Sequence, residues 1–381
     1  MVARQAATER ARRGASESGG WLGSTRRVWQ PGVLVSLTMA DLALSVLDQS
    51  PISEGATAAS ALHNTLDLAE LADELGYRRY WVAEHHATPA LACAAPEILI
   101  EAVAARTQRL RVGSGGVMLP HYSPLKVAET FSSLAGLHPE RIDLGLGRAP
   151  GTDPLTMFAL QRDRRQAAPD DFIEQLLELL ALLEDRLPAD HPFARHPRTL
   201  PGLPERPEPW LLGSSPQSAI WAAELGLPYS FADFINPNGA AIAADYRARF
   251  VDSERLGAPR VTVGVIAVCA ETDEEAEELA SSSRMMMSLL KRGRLVPVPP
   301  VDRAKRYLET RERTPGGRRA VIGSPQTVRA GLEAVAGEYG ADELLLLTIT
   351  YDHLARRRSY ELVAEEFGLV EAAAPRARAT P

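Results

Sequence analysis

Short apolar runs alternate with amphipathic helical patterns along residues 42–368, and this alternation constrains the fold more than any other feature of the chain. Strand-like runs fall at 42–48, 79–84, 110–119, 141–147, 210–213, 228–232, 260–269 and 344–349. Helical patterns fill the spaces at 57–76, 94–107, 124–138, 170–186, 215–225, 238–256, from Thr272 onward, and 353–367. In the first of these Leu62, Leu66, Ala69 and Leu75 recur at helical spacing, with Gly76 as a stop. Thr272 with Glu275 three residues on reads as a capping box. Regular strand–helix alternation implies a parallel sheet, because parallel neighbours need a crossover between them. Eight such units favour an α/β fold of one domain, a single (β/α)8 TIM barrel with loop insertions, over an open doubly wound sheet. The stretches 149–168 and 292–320 are rich in Pro, Arg or Gly and read as long loops of that domain.

The ends differ from the middle. Residues 1–40 carry six arginines against two glutamates and hold no steady period. Arg26-Arg27 precedes a mildly apolar stretch in the manner of an export signal. Gln30, Pro31, Gly32, Ser36 and Asp41 interrupt that stretch and no clear cleavage site follows. We read 1–40 as a disordered extension, with Met39 as an alternative start, 41–370 as the barrel, and 371–381 as a disordered tail. Net charge is −7 over 381 residues, and the acidic body argues against nucleic acid as a partner. No run of about 18 uninterrupted apolar residues occurs, so no membrane span is expected. Two cysteines, Cys93 and Cys269, are too few for a disulfide framework or thiolate cluster and fit a cytoplasmic protein.

Residues able to carry chemistry collect where the strand-like runs end, the catalytic face of such a barrel. Glu84-His85-His86 ends the second run. Neighbouring side chains leaving a strand point to opposite sides, so the two histidines do not chelate one ion together. A general acid or base role, or a hydrogen-bonding role, suits one of them, while a histidine that merely ties the loop to its backbone is the structural alternative. No metal site is expected. Gly113-Ser114-Gly115-Gly116 lies inside the third run, where three glycines cost stability and mark a bulge, a strained peptide or a ligand against the backbone. Gly145-Leu146-Gly147-Arg148-Ala149-Pro150-Gly151 ends the fourth. Its third glycine stands one residue late for a dinucleotide fingerprint, and Asp153-Pro154 follows. It serves either as a tight turn or as a close approach to a flat ligand, with Arg148 able to meet an anion. Gly213-Ser214-Ser215-Pro216-Gln217-Ser218 could cradle a phosphate at a helix start. Gly323-Ser324-Pro325-Gln326 and Ser123-Pro124 have the same layout, however, and helix capping explains all three. Met285-Met286-Met287 reads as packing, and 273–278 as a solvated acidic helix start.

Taken in order, these pieces resemble the bacterial luciferase-like, flavin-dependent monooxygenase family over roughly residues 42–368. Trp81-Val82-Ala83-Glu84-His85-His86 resembles the family's segment ending in Glu-His-His, and residues 112–120 ahead of His121-Tyr122-Ser123-Pro124 resemble its third strand. Residues 141–148 resemble its fourth strand, and Gly213-Ser214-Ser215 with 221–228 its phosphate-binding strand and helix. The branch most similar comprises single-component relatives of luciferase that act in secondary metabolism.

The resemblance implies FMN, used as FMNH2 supplied by a separate flavin reductase. It implies O2 as co-substrate through a C4a-(hydro)peroxyflavin, a small-molecule organic substrate, and a homodimer. By position it implies His85 as the catalytic base and Gly115-Gly116 as a non-proline cis peptide under the flavin ring. Arg148, Ser214, Ser215 and Ser218 take phosphate-binding positions, with a second contact from Arg164 or Arg165. Gly147 stands where luciferase carries a reactive cysteine beside the flavin, and 292–320 differs from luciferase's mobile loop, which argues against light emission. The 292–320 stretch is a candidate lid. The rival readings are an F420-dependent oxidoreductase on the same barrel, a non-catalytic flavin-binding protein, and a metal-dependent barrel hydrolase.

Overall fold

A computed structural model describes residues 42–148, 153–161, 163–166, 170–195, 200–310 and 319–369. The extension at 1–40, the tail at 371–381 and Ala149-Pro150-Gly151 lie outside the described residues. The elements run β1 (Ala43–Asp48), α1 (Ala58–Leu75), β2 (Arg79–Val82), α2 (Pro96–Arg106), β3 (Arg111–Met118), α3 (Pro124–Leu137), β4 (Ile142–Gly147), α4 (Pro154–Leu160) and α5 (Phe172–Leu183). They continue β5 (Glu208–Gly213), α6 (Pro216–Glu224), β6 (Tyr229–Ala232), α7 (Ala240–Arg249), β7 (Val261–Cys269), α8 (Asp273–Leu290) and α9 (Val301–Glu309). The last are β8 (Ala320–Gly323), α10 (Pro325–Tyr339), β9 (Glu343–Leu347) and α11 (His353–Phe367).

Turn chemistry sets many of these limits. Thr57 accepts the Ser60 N–H at 3.1 Å and Ser60 answers, a complete capping box, while Gly76 at φ +88° closes α1. Thr272 accepts the Glu275 N–H at 3.2 Å and starts α8. Proline stands at the first position of α2, α3, α4, α6 and α10, where its missing N–H costs nothing.

Eight parallel strands close in the order β1-β2-β3-β4-β5-β6-β7-β9 and back to β1. The ninth, β8, pairs Ala320–Gly323 with Ile266–Cys269, extending the upper half of β7. The sequence reading counted eight strands and took 292–320 as loop. The structure corrects this: the stretch contains α9 and ends in the first residue of β8. A four-residue strand that is exposed at one end and a helix with one buried residue, Ala304, carry little apolar periodicity. Likewise α4 lies inside the expected 149–168 loop and buries none of its residues.

Parity along each strand separates two cores. Leu44, Val46, Tyr80, Val82, Val112, Ile142, Leu144 and Leu146 face outward onto the helices. Leu47, Trp81, Trp210, Ile266, Leu345 and Leu347 face inward and fill the barrel together with Met286 of α8. Trp81 and Trp210 meet edge to face at 5.3 Å. The expected packing role of the methionines holds: Met286 enters the barrel and Met285 packs on Leu289 and Ala304. No described helix is long and apolar enough to cross a membrane.

The floor of the barrel, at the strand starts, is ionic. Arg79 is 1 % exposed and meets Asp143 at 2.6 Å and Glu343 at 3.0 Å. Arg111 meets Asp143 at 2.6 Å, Arg260 pairs with Glu208, and Trp81 donates its indole N–H to Asp143 at 2.9 Å. Burial pushes the Glu208 carboxyl up, but Arg260, Arg79 and Arg111 overcome it and pull it down to about 2.

Candidate active site

The upper end of the barrel is built from the ends of β2, β3, β4 and β5, which are neighbours in the sheet. On β2, Arg79 and Trp81 point inward while Tyr80 and Val82 point outward. The same parity, continued past Ala83, aims His85 over the barrel interior and Glu84 and His86 away from it. His85 donates its backbone N–H to Cys93 O at 2.8 Å. Its ring Nδ1 is buried and has no hydrogen-bond partner among the described residues. Burial, helped by the neighbouring His86, lowers the imidazole to about 4, so the ring is neutral at physiological pH. A neutral imidazole with an open nitrogen can accept a proton from a bound molecule or donate a hydrogen bond to one.

The next strand supplies a floor of bare backbone. The Gly115-Gly116 peptide is cis, and the β3–β4 register shifts between Ser114 and Val117. A Cβ on Gly115 would stand 2.6 Å from Leu47 Cδ1 and 3.2 Å from Trp81 Cβ. One on Gly116 would stand 2.7 Å from Gly145 O and 3.0 Å from Leu212 Cδ2. One on Gly145 would strike Ser114 O at 2.1 Å. These glycines therefore let the neighbouring strands and their side chains approach more closely than any side chain at these positions allows. Gly147 is buried, with its missing Cβ facing Met118 Sδ at 3.4 Å.

The residues expected to bind an anion lie at the ends of the neighbouring strands β4 and β5. The Arg148 guanidinium lies over the Trp221 ring at 5.8 Å, and Trp221 belongs to α6, the helix that Ser215 opens. Ser215 is the N-cap in extended backbone, yet its hydroxyl makes no capping hydrogen bond. The α6 N-terminus is thus open for an acceptor from outside. Asn236 Nδ2 donates to Ser214 O at 3.0 Å and holds this turn.

Ser218 is placed differently. Its hydroxyl donates to Ser215 O at 2.8 Å and meets the Tyr229 hydroxyl at 3.0 Å. It also fills the space that a Cβ on Gly213 would need, at 2.1 Å. Its proton is committed to the turn, so it shapes the cradle rather than donating into it. Arg165 pairs with Asp163 at 2.8 Å, and Arg164 donates to Ala159 O at 2.7 Å, so each is engaged within its own loop.

Two features escaped the sequence reading. Glu84 is fully buried and collects three hydrogen bonds, described below. The glutamate two residues before His86 in an extended segment was the available signal. The second is the tie across the candidate lid. Val298 N donates to Ile52 O and Glu54 N donates to Val298 O, both at 2.8 Å, and Ile52 N donates to Ala90 O at 2.8 Å. The 292–300 half of that stretch is therefore fixed to the β1 and β2 loops. Residues 311–318 of it lie outside the described residues. Among the described residues no group of three or more His, Cys, Asp and Glu is placed to hold a metal ion.

The comparisons with known proteins follow the same geometry. A model of the luciferase-like monooxygenase family matches residues 42–343. The chain is 40% identical over 335 residues to a luciferase-like monooxygenase of Escherichia coli (strain K12), covering 86% of this chain and 98% of that one. It is 37% identical over 330 residues to N-acetyl-S-alkylcysteine monooxygenase of Bacillus subtilis (strain 168), covering 84% and 97%. The crystal structure of apo-MsnO8 superposes with a TM-score of 0.79 at 42% identity, covering 89% of this chain and 100% of that one.

Proposed function

We propose that this chain, which belongs to the luciferase-like monooxygenase family, is an FMN-dependent monooxygenase that takes reduced flavin from a separate reductase and oxygenates a small organic substrate with O2. The observation that carries the reading is the occurrence, on four adjacent strand ends, of a neutral imidazole whose Nδ1 has no partner among the described residues, a pair of strand glycines, and Arg148 with the serine turn that opens α6. The relative named for N-acetyl-S-alkylcysteine supports a small organic substrate. Two free, buried cysteines suit a reducing cytoplasm.

The residues fit the flavin on their own geometry. Arg148, the hydroxyls of Ser214 and Ser215, and the first N–H groups of α6 would hold the phosphate. Gly115 and Gly116 would let the flat ring lie against backbone. When bound, reduced flavin supplies the electrons that activate O2. The chain supplies the rest. His85 Nδ1 holds or takes a proton at the mouth of the barrel. Trp81 and Leu47 pack against Gly115 and Leu212 against Gly116, an apolar lining that would keep water from a ring lying there.

The test is anaerobic titration of the purified protein with photoreduced FMN, followed by rapid mixing with aerated buffer while the flavin absorbance is recorded. Tight binding of reduced FMN and a reoxidation course unlike that of free flavin support the reading. Loss of His85 in His85→Ala changes the reoxidation course, and Arg148→Ala weakens binding. If reduced FMN does not bind, or reoxidises as fast as free flavin, the reading fails, and the same titration with reduced F420 tests the rival cofactor.

A further inference from the structure

Glu84 has no surface exposure, and a buried carboxylate must be paired or hydrogen-bonded to stay charged. Its Oε1 accepts from the Tyr122 hydroxyl at 2.9 Å and lies 2.7 Å from His86 Nε2. Its Oε2 accepts the Met118 backbone N–H at 2.9 Å. No Arg or Lys is among these partners, so the carboxylate is held by three donors from three places. Met118 ends β3, two residues after the cis Gly115-Gly116 peptide. Tyr122 follows the short 3-10 turn Leu119–His121 that leaves that strand. His86 belongs to the same loop as His85 itself.

Strand parity explains the arrangement: Glu84 and His86 share one side of the extended segment and meet each other, while His85 takes the opposite side. His85 thus sits between two residues locked together, with its own N–H fixed to Cys93 O. The same carboxylate joins the end of β2, which carries the imidazole, to the end of β3, which carries the glycine floor.

We propose that Glu84 is a positioning residue, a buried clamp that fixes the His85 ring relative to the Gly115-Gly116 floor. This inference rests on the flavin reading of the same site. Glu84 does not reach the reacting atoms; it acts through Tyr122, His86 and the Met118 N–H. An amide in its place has one acceptor oxygen instead of two, so at least one of the three donors is left facing an N–H.

The experiment reads His85 in the flavin-free protein, so that it does not depend on turnover. Imidazole 1H–15N spectra are recorded against pH for wild type, Glu84→Gln and Tyr122→Phe, with His85→Ala giving the assignment, and FMN affinity is measured by quenching of its fluorescence. In wild type the His85 midpoint lies at about 4. Release of the ring toward solvent in Glu84→Gln moves it up toward its ordinary value, about 6.5. FMN affinity falls roughly tenfold, the scale of one lost buried hydrogen bond. Tyr122→Phe, which removes one donor and keeps the charge, moves both readouts less. A folded Glu84→Gln protein with an unmoved His85 midpoint and unchanged FMN affinity overturns the proposal, even if it melts earlier. Should Glu84→Gln not fold, Tyr122→Phe decides in the same way. If wild type binds no photoreduced FMN in the anaerobic titration, the flavin reading fails, and the flavin-free titration still decides whether Glu84 positions His85.

Discussion

The two ends of the barrel use buried polar groups in opposite ways. At the strand starts Asp143, Glu208 and Glu343 each face an arginine, and Arg79 ties all three together across the interior. At the strand ends His85 Nδ1 has no partner, the Ser215 hydroxyl caps nothing, and the peptides of Gly115 and Gly116 carry no side chains. Charge at the lower end is answered by ion pairs within the chain that link β2, β3, β4, β5 and β9. Among the described residues both ends leave some buried hydrogen-bonding capacity over, at Trp210 Nε1, Arg260 Nε and Thr262 Oγ1 below and at His85 Nδ1 above, so the ends differ in their buried ion pairs rather than in unmet donors and acceptors. The upper end, with its titratable imidazole freed from any buried counter-charge, is where the proposed flavin site lies.

Mutation of each end should break this contrast in its own way. The largest expected effect is on stability below. Arg79→Met leaves Asp143 and Glu343 short of a buried partner and should cost about 3–5 kcal/mol, read as a fall in the urea midpoint. FMN affinity should change only as far as the fold loosens.

Above, the largest effect should be on binding. Arg148→Ala should raise the Kd for FMN about 10- to 100-fold, the scale of a charge-assisted hydrogen bond, with the urea midpoint unmoved. A large loss of stability in this variant would place Arg148 with the lower-end arginines instead. Gly116→Ala puts a methyl against Gly145 O and Leu212, and should cost about 1–3 kcal/mol as well as FMN binding.

Acid should separate the ends by pH window. His85 is lowered to about 4 by burial and by His86, so the unfolded chain takes up its proton first as pH falls through about 6.5. Stability carried by the neutral ring is present above that pH and is lost by about 4. Glu208 is held near 2 by its arginines, against burial, so its contribution is present above the ordinary carboxylate range and is lost between about 4.5 and 2. His85→Ala should flatten the first window of the stability–pH curve and Glu208→Gln the second. A His85→Ala protein with an unchanged slope between pH 6.5 and 4 would show that the ring is not buried neutral.

The smallest effect is the finest test of the cradle. Ser218→Ala should cost about 1 kcal/mol through the turn it holds. Its effect on FMN affinity should be smaller than that of Ser214→Ala or Ser215→Ala. The reverse order would make Ser218 the phosphate contact and the turn bond incidental.

The upper end was partly legible in the chain. His85 was singled out because a histidine at a strand end aims predictably by parity, and Gly115-Gly116 because glycines inside a strand are costly. The serine turn was legible only as one of three equal layouts, since Ser123, Ser215 and Ser324 all precede a proline that opens a helix. Arg148 stacked on Trp221 distinguishes one of them, and those residues stand 73 positions apart. The hydrogen bonds of Ser218 are hidden from the sequence for the same reason: its partner Tyr229 lies on the next strand. Glu84 was read as part of a motif, but its three donors come from two strand ends and a turn.

What the sequence determined by itself is periodic and local. Alternating apolar runs and helical faces specify parallel strands with crossovers, and Thr57, Gly76, Thr272 and the helix-opening prolines set element limits through their own backbones. Tertiary structure alone decided what depends on closure. It added β8 to a strand that already had two neighbours, tied Val298 to the β1 loop, and gathered Arg79, Asp143, Glu208 and Glu343 in the floor. Hydrogen bonds and ion pairs act over about 3–4 Å in space whatever the separation along the chain, whereas sequence periodicity records only each residue's own element. That His85 Nδ1 has no partner among the described residues becomes visible only once the strands and loops around it are placed.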